Sequence, residues 1–238
     1  MIGALHTAFL GEFGDAIQFI FQERESTTGG AQVGGAQIWG LLLDHVWLSV
    51  LAMTIASVIS IPLGLVLGHT GRFGFLAINL SNVGRAVPTL ALVAFFVAFL
   101  GVGLLNVTVA LTLLAIPPIL TNTYVGVQQV DQEVVDAARG QGLRGRQVLR
   151  SVELPLALPL IMDGIRVSTV NVIATAALAP LAGASSLGDP IVSYGVYGDT
   201  GRLAGSIMVA LLAIAADLGI AALGRAVTPA GIRLAPSS

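Results

Sequence analysis

The chain has no cysteine and no lysine, and only 10% of its 238 residues are charged. Without cysteine, disulfides and thiolate metal centres are excluded. Without lysine there is no Walker A loop, whose lysine must reach the nucleotide phosphates, so any nucleotide energy comes from another chain. A soluble domain carries about 25% charged residues. Here the shortfall accompanies 55% hydrophobic residues and a mean hydropathy of +0.89, which makes lipid the natural solvent. The net charge of −2 says little about partners, and no nucleic-acid partner is expected.

What is present is a set of long uncharged runs: Val46–Gly68, Ala86–Val130, Val167–Gly188 and Leu203–Ala216. A spanning helix needs roughly 20 apolar residues. The 45-residue run Ala86–Val130 therefore holds two, with a turn at Gly101-Val-Gly103 and Asn106. The reading is an all-α polytopic membrane protein of about five transmembrane helices. The first is Val46–Gly68, with Pro62 and Gly64 bending its last turns. The second ends near Leu100, is kinked at Pro88 and begins upstream of Arg85. The third runs from about Asn106 to Val127, broken by Pro117-Pro118. The fourth starts near Pro155–Leu160 and ends near Leu181, and the fifth is Leu203 to about Gly224.

All eleven fixed basic charges are arginines. With five spans, Arg72, Arg85, Arg139, Arg144, Arg146, Arg150, Arg166, Arg225 and Arg233 share one side, and only Arg24 and Arg202 fall on the other. The positive-inside rule then makes the C-terminus cytoplasmic and the N-terminus outside. Residues 1–37 form an extracytoplasmic segment, read either as an interfacial helix with Phe9, Phe13, Ile17 and Ile20 or Phe21 on one face, or as a loose tail. Gly29-Gly30 and Gly34-Gly35 read as a flexible connector. Residues 38–238 are the transmembrane domain.

Between the third and fourth spans lies a polar island, residues 131–155. Asp131 is placed to cap a helix that stops at Gly140 or Gly142. Val134, Ala137 and Ala138 fall on one face of it. A second short helix carries Arg146 and Arg150 on one face and Val148, Leu149 and Val152 on another; Leu154-Pro155 ends it, and the proline can open the next span. Small residues allow close approach by a partner, and arginines can pair with its carboxylates or with lipid phosphates.

The spacing Asp136-Ala137-Ala138, three residues, Gly142, nine residues, Val152-Glu153-Leu154-Pro155 resembles the "EAA" loop of bacterial ABC importer permeases, with Asp136 for Glu and Val152 for Ile. PTLALVAFF (Pro88–Phe96), IPPILTNTYVGVQQVDQEVVDAARGQGL (Ile116–Leu143) and VELPLALPLIMDGIR (Val152–Arg166) resemble the osmoprotectant branch, which imports glycine betaine, carnitine, choline or proline. The resemblance covers roughly residues 40–235. It implies a MetI-like type I importer permease in the bacterial cell membrane, with Asp136, Ala137, Ala138, Gly142, Arg144, Val152, Leu154 and Pro155 coupling it to an ATPase. It also implies two ATPase subunits that hold ATP and Mg, a second permease, identical or paralogous, and an outside solute-binding protein. No cofactor is expected in this chain. Aromatic residues are only 6%, so a cage for a quaternary ammonium belongs to the binding protein rather than here.

Polar residues within spans are candidates for the path because lipid penalises them. Pro88, Asn122, Thr123, Tyr124, Asn171 and Thr175 are the candidates. Asn122 has an alternative role, bonding carbonyls freed by the two prolines. Ser168, Asn171 and Thr175 suit either a wet pore or interhelical hydrogen bonds. Asp163 and Arg166 are expected to pair with each other, and Asp217 with an arginine of a neighbouring helix. His6, His45 and His69 read as residues at the membrane edge. Gly183–Gly195 corresponds to the family's outer-gate region, or is an ordinary loop. Rival readings are a permease of this architecture for another small solute, an intramembrane enzyme, or a passive channel. The enzyme lacks a converging catalytic set, since GASS at Gly183–Ser186 is not a nucleophile elbow and there is no HExxH helix.

Overall fold

A computed structural model describes residues 2–71, 74–75, 79 and 88–228. Arg72, Arg85, Arg233 and the start of the second span lie outside the described residues. The elements are α1 (Ile2–Phe21), a hairpin of β1 (Glu23–Glu25) and β2 (Gln32–Gly34), α2 (Ala36–Thr70), α3 (Thr89–Leu100), α4 (Leu104–Gln128), α5 (Gln132–Gly140), α6 (Gly145–Val148), α7 (Leu154–Ala176), α8 (Asp189–Val192) and α9 (Tyr194–Val227). Among the described residues, four helical segments are long and apolar enough to cross a membrane: α2, α4, Gly145–Ala176 and α9. The fifth apolar helix, α3, has 12 residues, about 18 Å at 1.5 Å per residue, which is short of a full crossing.

The chain forms two compact units. The first comprises residues 1–51, 89–111 and 173–214. Its core joins Ala16, Phe19 and Ile20 of α1 to Val33, Ile38, Leu41, Leu187, Ala204 and Met208. The buried face of α1 is therefore offset from the expected stripe: Ile17 and Phe21 are exposed, while Phe19 is enclosed. The side chain of Phe9 is outside the described set. The two glycine pairs are not a slack connector. β1 and β2 pair antiparallel with Arg24 opposite Val33, Gly29 and Gly30 sit in the connecting loop, and the loop's Thr27 N–H donates to the Val196 carbonyl at 3.1 Å. His45 is buried inside the protein, and its Nε2 lies 3.0 Å from the Ile173 carbonyl.

The segment 183–195 is also tightly ordered. Ser186 Oγ donates to the Ala176 carbonyl at 2.8 Å and accepts from Gly188 N–H at 2.9 Å. Asp189 accepts the Ser186 N–H at 2.8 Å. Burial pushes the Asp189 carboxyl above its ordinary range, and those backbone hydrogen bonds oppose the shift.

The second unit comprises residues 52–88, 112–172 and 215–238. In lipid, apolar burial does not drive helices together, so close packing and interhelical hydrogen bonds must. Ala52, Ala56, Ser60, Gly64 and Gly68 recur every four residues, a stripe of small side chains along α2. A Cβ on Gly64 would come within 2.7 Å of Thr123 Cβ, and one on Gly68 within 2.6 Å of Val127 Cβ. Both distances are too short, so only glycine permits this approach to α4. Gln128 Nε2 adds a bond to the Gly68 carbonyl at 2.5 Å. On the opposite partner, a Cβ on Gly164 of α7 would lie 2.8 Å from Asn122 Cβ, and Gly126 faces Ala157.

Pro117 and Pro118 do not break α4, which runs unbroken from Leu104 to Gln128. Two prolines leave the Leu113 and Leu114 carbonyls without their usual donors. Hydroxyls from both neighbours support the same stretch: Ser60 Oγ donates to the Ile116 carbonyl at 3.3 Å and Ser168 Oγ to Ala115 at 3.0 Å. These bonds pin α4 to both neighbours beside the prolines, although they reach Ala115 and Ile116 rather than the freed Leu113 and Leu114 carbonyls.

Gly68→Leu must push α2 off α4, an overpacking cost of about 1–3 kcal/mol. Gly219→Leu on α9, where an added Cβ meets nothing within 4 Å, is the matched control. In detergent-solubilised protein, the first variant is expected to melt several degrees lower and the second to melt like the parent. Equal melting would show that the glycine contact does not hold the unit.

Candidate functional site

The island folds as a small wedge with a core of its own. Asp131 caps α5, its carboxylate accepting the Glu133 N–H at 2.8 Å. The helix ends in a Schellman motif: Leu143 N–H reaches the Ala138 carbonyl at 3.2 Å and Gly142 N–H reaches Arg139 at 2.9 Å. That geometry puts Gly142 at φ +87°, where a side chain is strained even though the space is open. Arg144 then starts α6, its N–H bonded to Gln147 Oε1 at 2.7 Å.

Leu154-Pro155 does not end this helix. α6 runs through a π-helical turn, Leu149–Glu153, directly into α7. The proline offers no N–H to Ser151, and its ring crowds that carbonyl. The wider turn, with Leu154 N–H reaching back to Leu149, absorbs the mismatch. The wedge is therefore continuous with a membrane helix.

The candidate coupling residues divide into three groups. Ala138, with Val130, Val135 and Val148 and the partly buried Leu143 and Val152, makes the wedge's own core. Asp136, Ala137, Gly142 and Arg144 are exposed, as is Val134 at 45%. Leu154 packs beside Val127, Ala157 and Ile161 at the base. Small size at 138 thus serves internal packing, while Ala137 and Val134 offer the open apolar face. Asp136 also pairs with Arg139 at 3.6 Å.

A contact that sequence reading missed ties this wedge to the spans. His69 Nδ1 lies 2.6 Å from Glu153 Oε2, with the two side chains only 21% and 6% exposed. His69 is thus a structural partner within the protein. The available signal was Glu153 itself, the lone carboxylate between Val152 and Leu154-Pro155.

The path candidates behave differently. Asn122 Nδ2 donates to the Pro118 carbonyl at 2.8 Å, not to the carbonyls that the prolines free. Thr123 is buried, bonded to Ile119 at 2.7 Å and pressed against Gly64, so it is a packing residue. The Tyr124 hydroxyl fills the space beside Gly74. Ser168 is enclosed against α4, whereas Asn171 is exposed and Thr175 half-buried. Pro88 is exposed just before α3. Arg166 turns away from Asp163 to grip Asp217 of α9 with two hydrogen bonds, Nη2–Oδ2 being 2.7 Å. The pairing expected for Asp217 is therefore found, and the one expected between Asp163 and Arg166 is not. Among the described residues, no group of three or more His, Asp or Glu is placed to hold a metal.

Residues 60–229 match the family of binding-protein-dependent transport system inner membrane components. The chain belongs to this family. It is 35% identical over 203 residues to the glycine betaine/carnitine/choline transport system permease protein OpuCB of Bacillus subtilis, covering 85% of this chain and 94% of that one. It is 36% identical over 220 residues to the carnitine transport permease protein OpuCB of Listeria monocytogenes, covering 92% and 96%. The fold matches inward-facing MetNI, a methionine ABC transporter, with a TM-score of 0.71 at 22% identity over 82% of this chain and 98% of that one. The chain is thus a multi-pass ABC importer permease with a MetI-like fold.

Glu153→Ala removes the partner of a half-buried histidine nitrogen, at a cost of about 1 kcal/mol. Hydrogen exchange across 145–153 is expected to speed up in this variant and to stay near the parent's in Glu153→Gln, which keeps an acceptor. Unchanged exchange in Glu153→Ala would remove the tie from the account.

Proposed function

We propose that this permease passes small osmoprotectants of the glycine betaine, choline, carnitine or proline class across the bacterial cell membrane, and that its wedge at 131–155 is driven by separate ATPase subunits. The names of the relatives support the solute class. The observation that carries the coupling is the wedge's construction: a self-supporting core, an exposed apolar face at Val134 and Ala137, and a helix continuous with a span. A load applied there travels along α7 without a flexible joint.

In this reading the wedge and the C-terminus face the cytoplasm, consistent with Arg139, Arg144, Arg146 and Arg150 lying on it. The N-terminal helix and hairpin face outside, where a solute-binding protein delivers its load. Two permeases, identical or paralogous, sit on two ATPases that bind ATP and Mg. Closing of the ATPase pair moves each wedge and its attached helices, opening the path outward, and hydrolysis resets it. Asn171 and Thr175 of α7 are the path residues left free for solute. Asn122 and Thr123 act on the backbone that shapes the path.

Ala137→Trp tests the docking face without touching the wedge core. Pull-down of the ATPase through a tagged permease is expected to fall at least tenfold, with permease melting unchanged. Normal complex formation and normal solute uptake would move the docking surface elsewhere.

A further inference from the structure

Between the wedge and α2 lies a feature separate from the exposed apolar face at Val134 and Ala137. A groove of about 520 Å³ runs between the end of α2 and the start of Gly145–Ala176. Its walls are almost wholly apolar: a floor of Pro62, Leu65 and Val66 on α2, and Leu149 with chiefly the aliphatic stems of Arg146 and Arg150 on the other side, which leaves the guanidinium groups to the rim. We propose that this groove binds an anionic phospholipid, its acyl chain on the apolar floor and its phosphate between the two arginines.

The floor belongs to a membrane-spanning helix. Val66 is 54% exposed and continues a row of open apolar residues, Val58, Ile59 and Leu63, along α2. In a bilayer such a row faces acyl chains, and the groove is where that row meets the wedge. His69 and Thr70, the last residues of α2, also line it, so the groove lies at the end of a span, where headgroups begin.

The rim carries uncompensated charge. Arg146 and Arg150 are four residues apart and exposed, and neither makes an ion pair among the described residues. The nearby carboxylate, Glu153, is taken by His69. Guanidinium groups are permanently charged and present paired donors that match phosphate oxygens. Free phosphate would gain nothing from the apolar floor. A carboxylate of the ATPase would meet the rim but not a floor set in a span. The one ligand that uses both halves is a lipid with a negative headgroup. Each basic residue beside an anionic headgroup strengthens binding about fivefold, so two act on the order of tenfold or more.

The test uses the complete transporter in nanodiscs, with phosphatidylglycerol bearing a photoreactive group on its acyl chain. Labelling is expected in peptides covering 62–70 and 145–150. Arg146→Gln with Arg150→Gln should cut it on the order of tenfold, while Arg146→Lys with Arg150→Lys keeps most of it. Matched phosphatidylcholine should label weakly, and millimolar inorganic phosphate should not compete. Equal labelling by both lipids in the parent protein would overturn the proposal, a comparison that holds even if the variants fail to fold. Full competition by phosphate would also overturn it. So would labelling that survives both glutamine substitutions, and if ATPase pull-down then failed as well, the arginines would belong to the protein interface.

Discussion

The second unit depends on how closely α2 can approach α4. In lipid the gain comes from contact and hydrogen bonding, both of which decay steeply with separation. Gly64 and Gly68 remove the side chains that would hold the helices apart, and α4 fills the gap with Thr123 and Val127. Ser60 and Ser168 can then reach the carbonyls beside Pro117-Pro118 only because the backbones are near. Close approach thus permits a proline-containing α4, and that helix in turn positions Asn122 and Tyr124.

The same packing sets where the wedge stands. α2 ends at Thr70, so His69 occupies a fixed place at the end of the α2–α4 pair. Its bond to Glu153 fixes the π-helical turn, and that turn fixes α6 against α7. Membrane packing, a polar pair with a buried carboxylate and the wedge therefore form one chain of constraints. Arg166 and Asp217 add a comparable link between α7 and α9.

Much of this was legible in the sequence. Uncharged runs identify the spans, and Asp131, Gly140 and Gly142 bracket α5 because capping chemistry is local. The motif at 136–155 points to the family directly. What local sequence misjudged were features decided by distant partners. Pro117-Pro118 and Leu154-Pro155 read as breaks, yet the first pair sits in a helix pinned by hydroxyls of both neighbours, and a π-helical turn carries the backbone through the second. Arg166 had a candidate three residues away in Asp163 but pairs with Asp217, 51 positions on. His45 and His69 flank an apolar run, and their partners at 173 and 153 lie far along the chain. The roles of Ala137 and Ala138 separate only once α5 has a defined buried side.

The central claim is that wedge and spans of the second unit move as one body. The absence of native cysteine makes that measurable, because two introduced cysteines at Ile55 and Gln141 carry the only spin labels. Dilution with unlabelled permease isolates distances within one chain. Pulsed electron resonance on the assembled transporter is predicted to give one narrow distance, the same with and without ATP. A distance that shifts or broadens when ATP binds would show the wedge moving independently of the helices, contradicting the account.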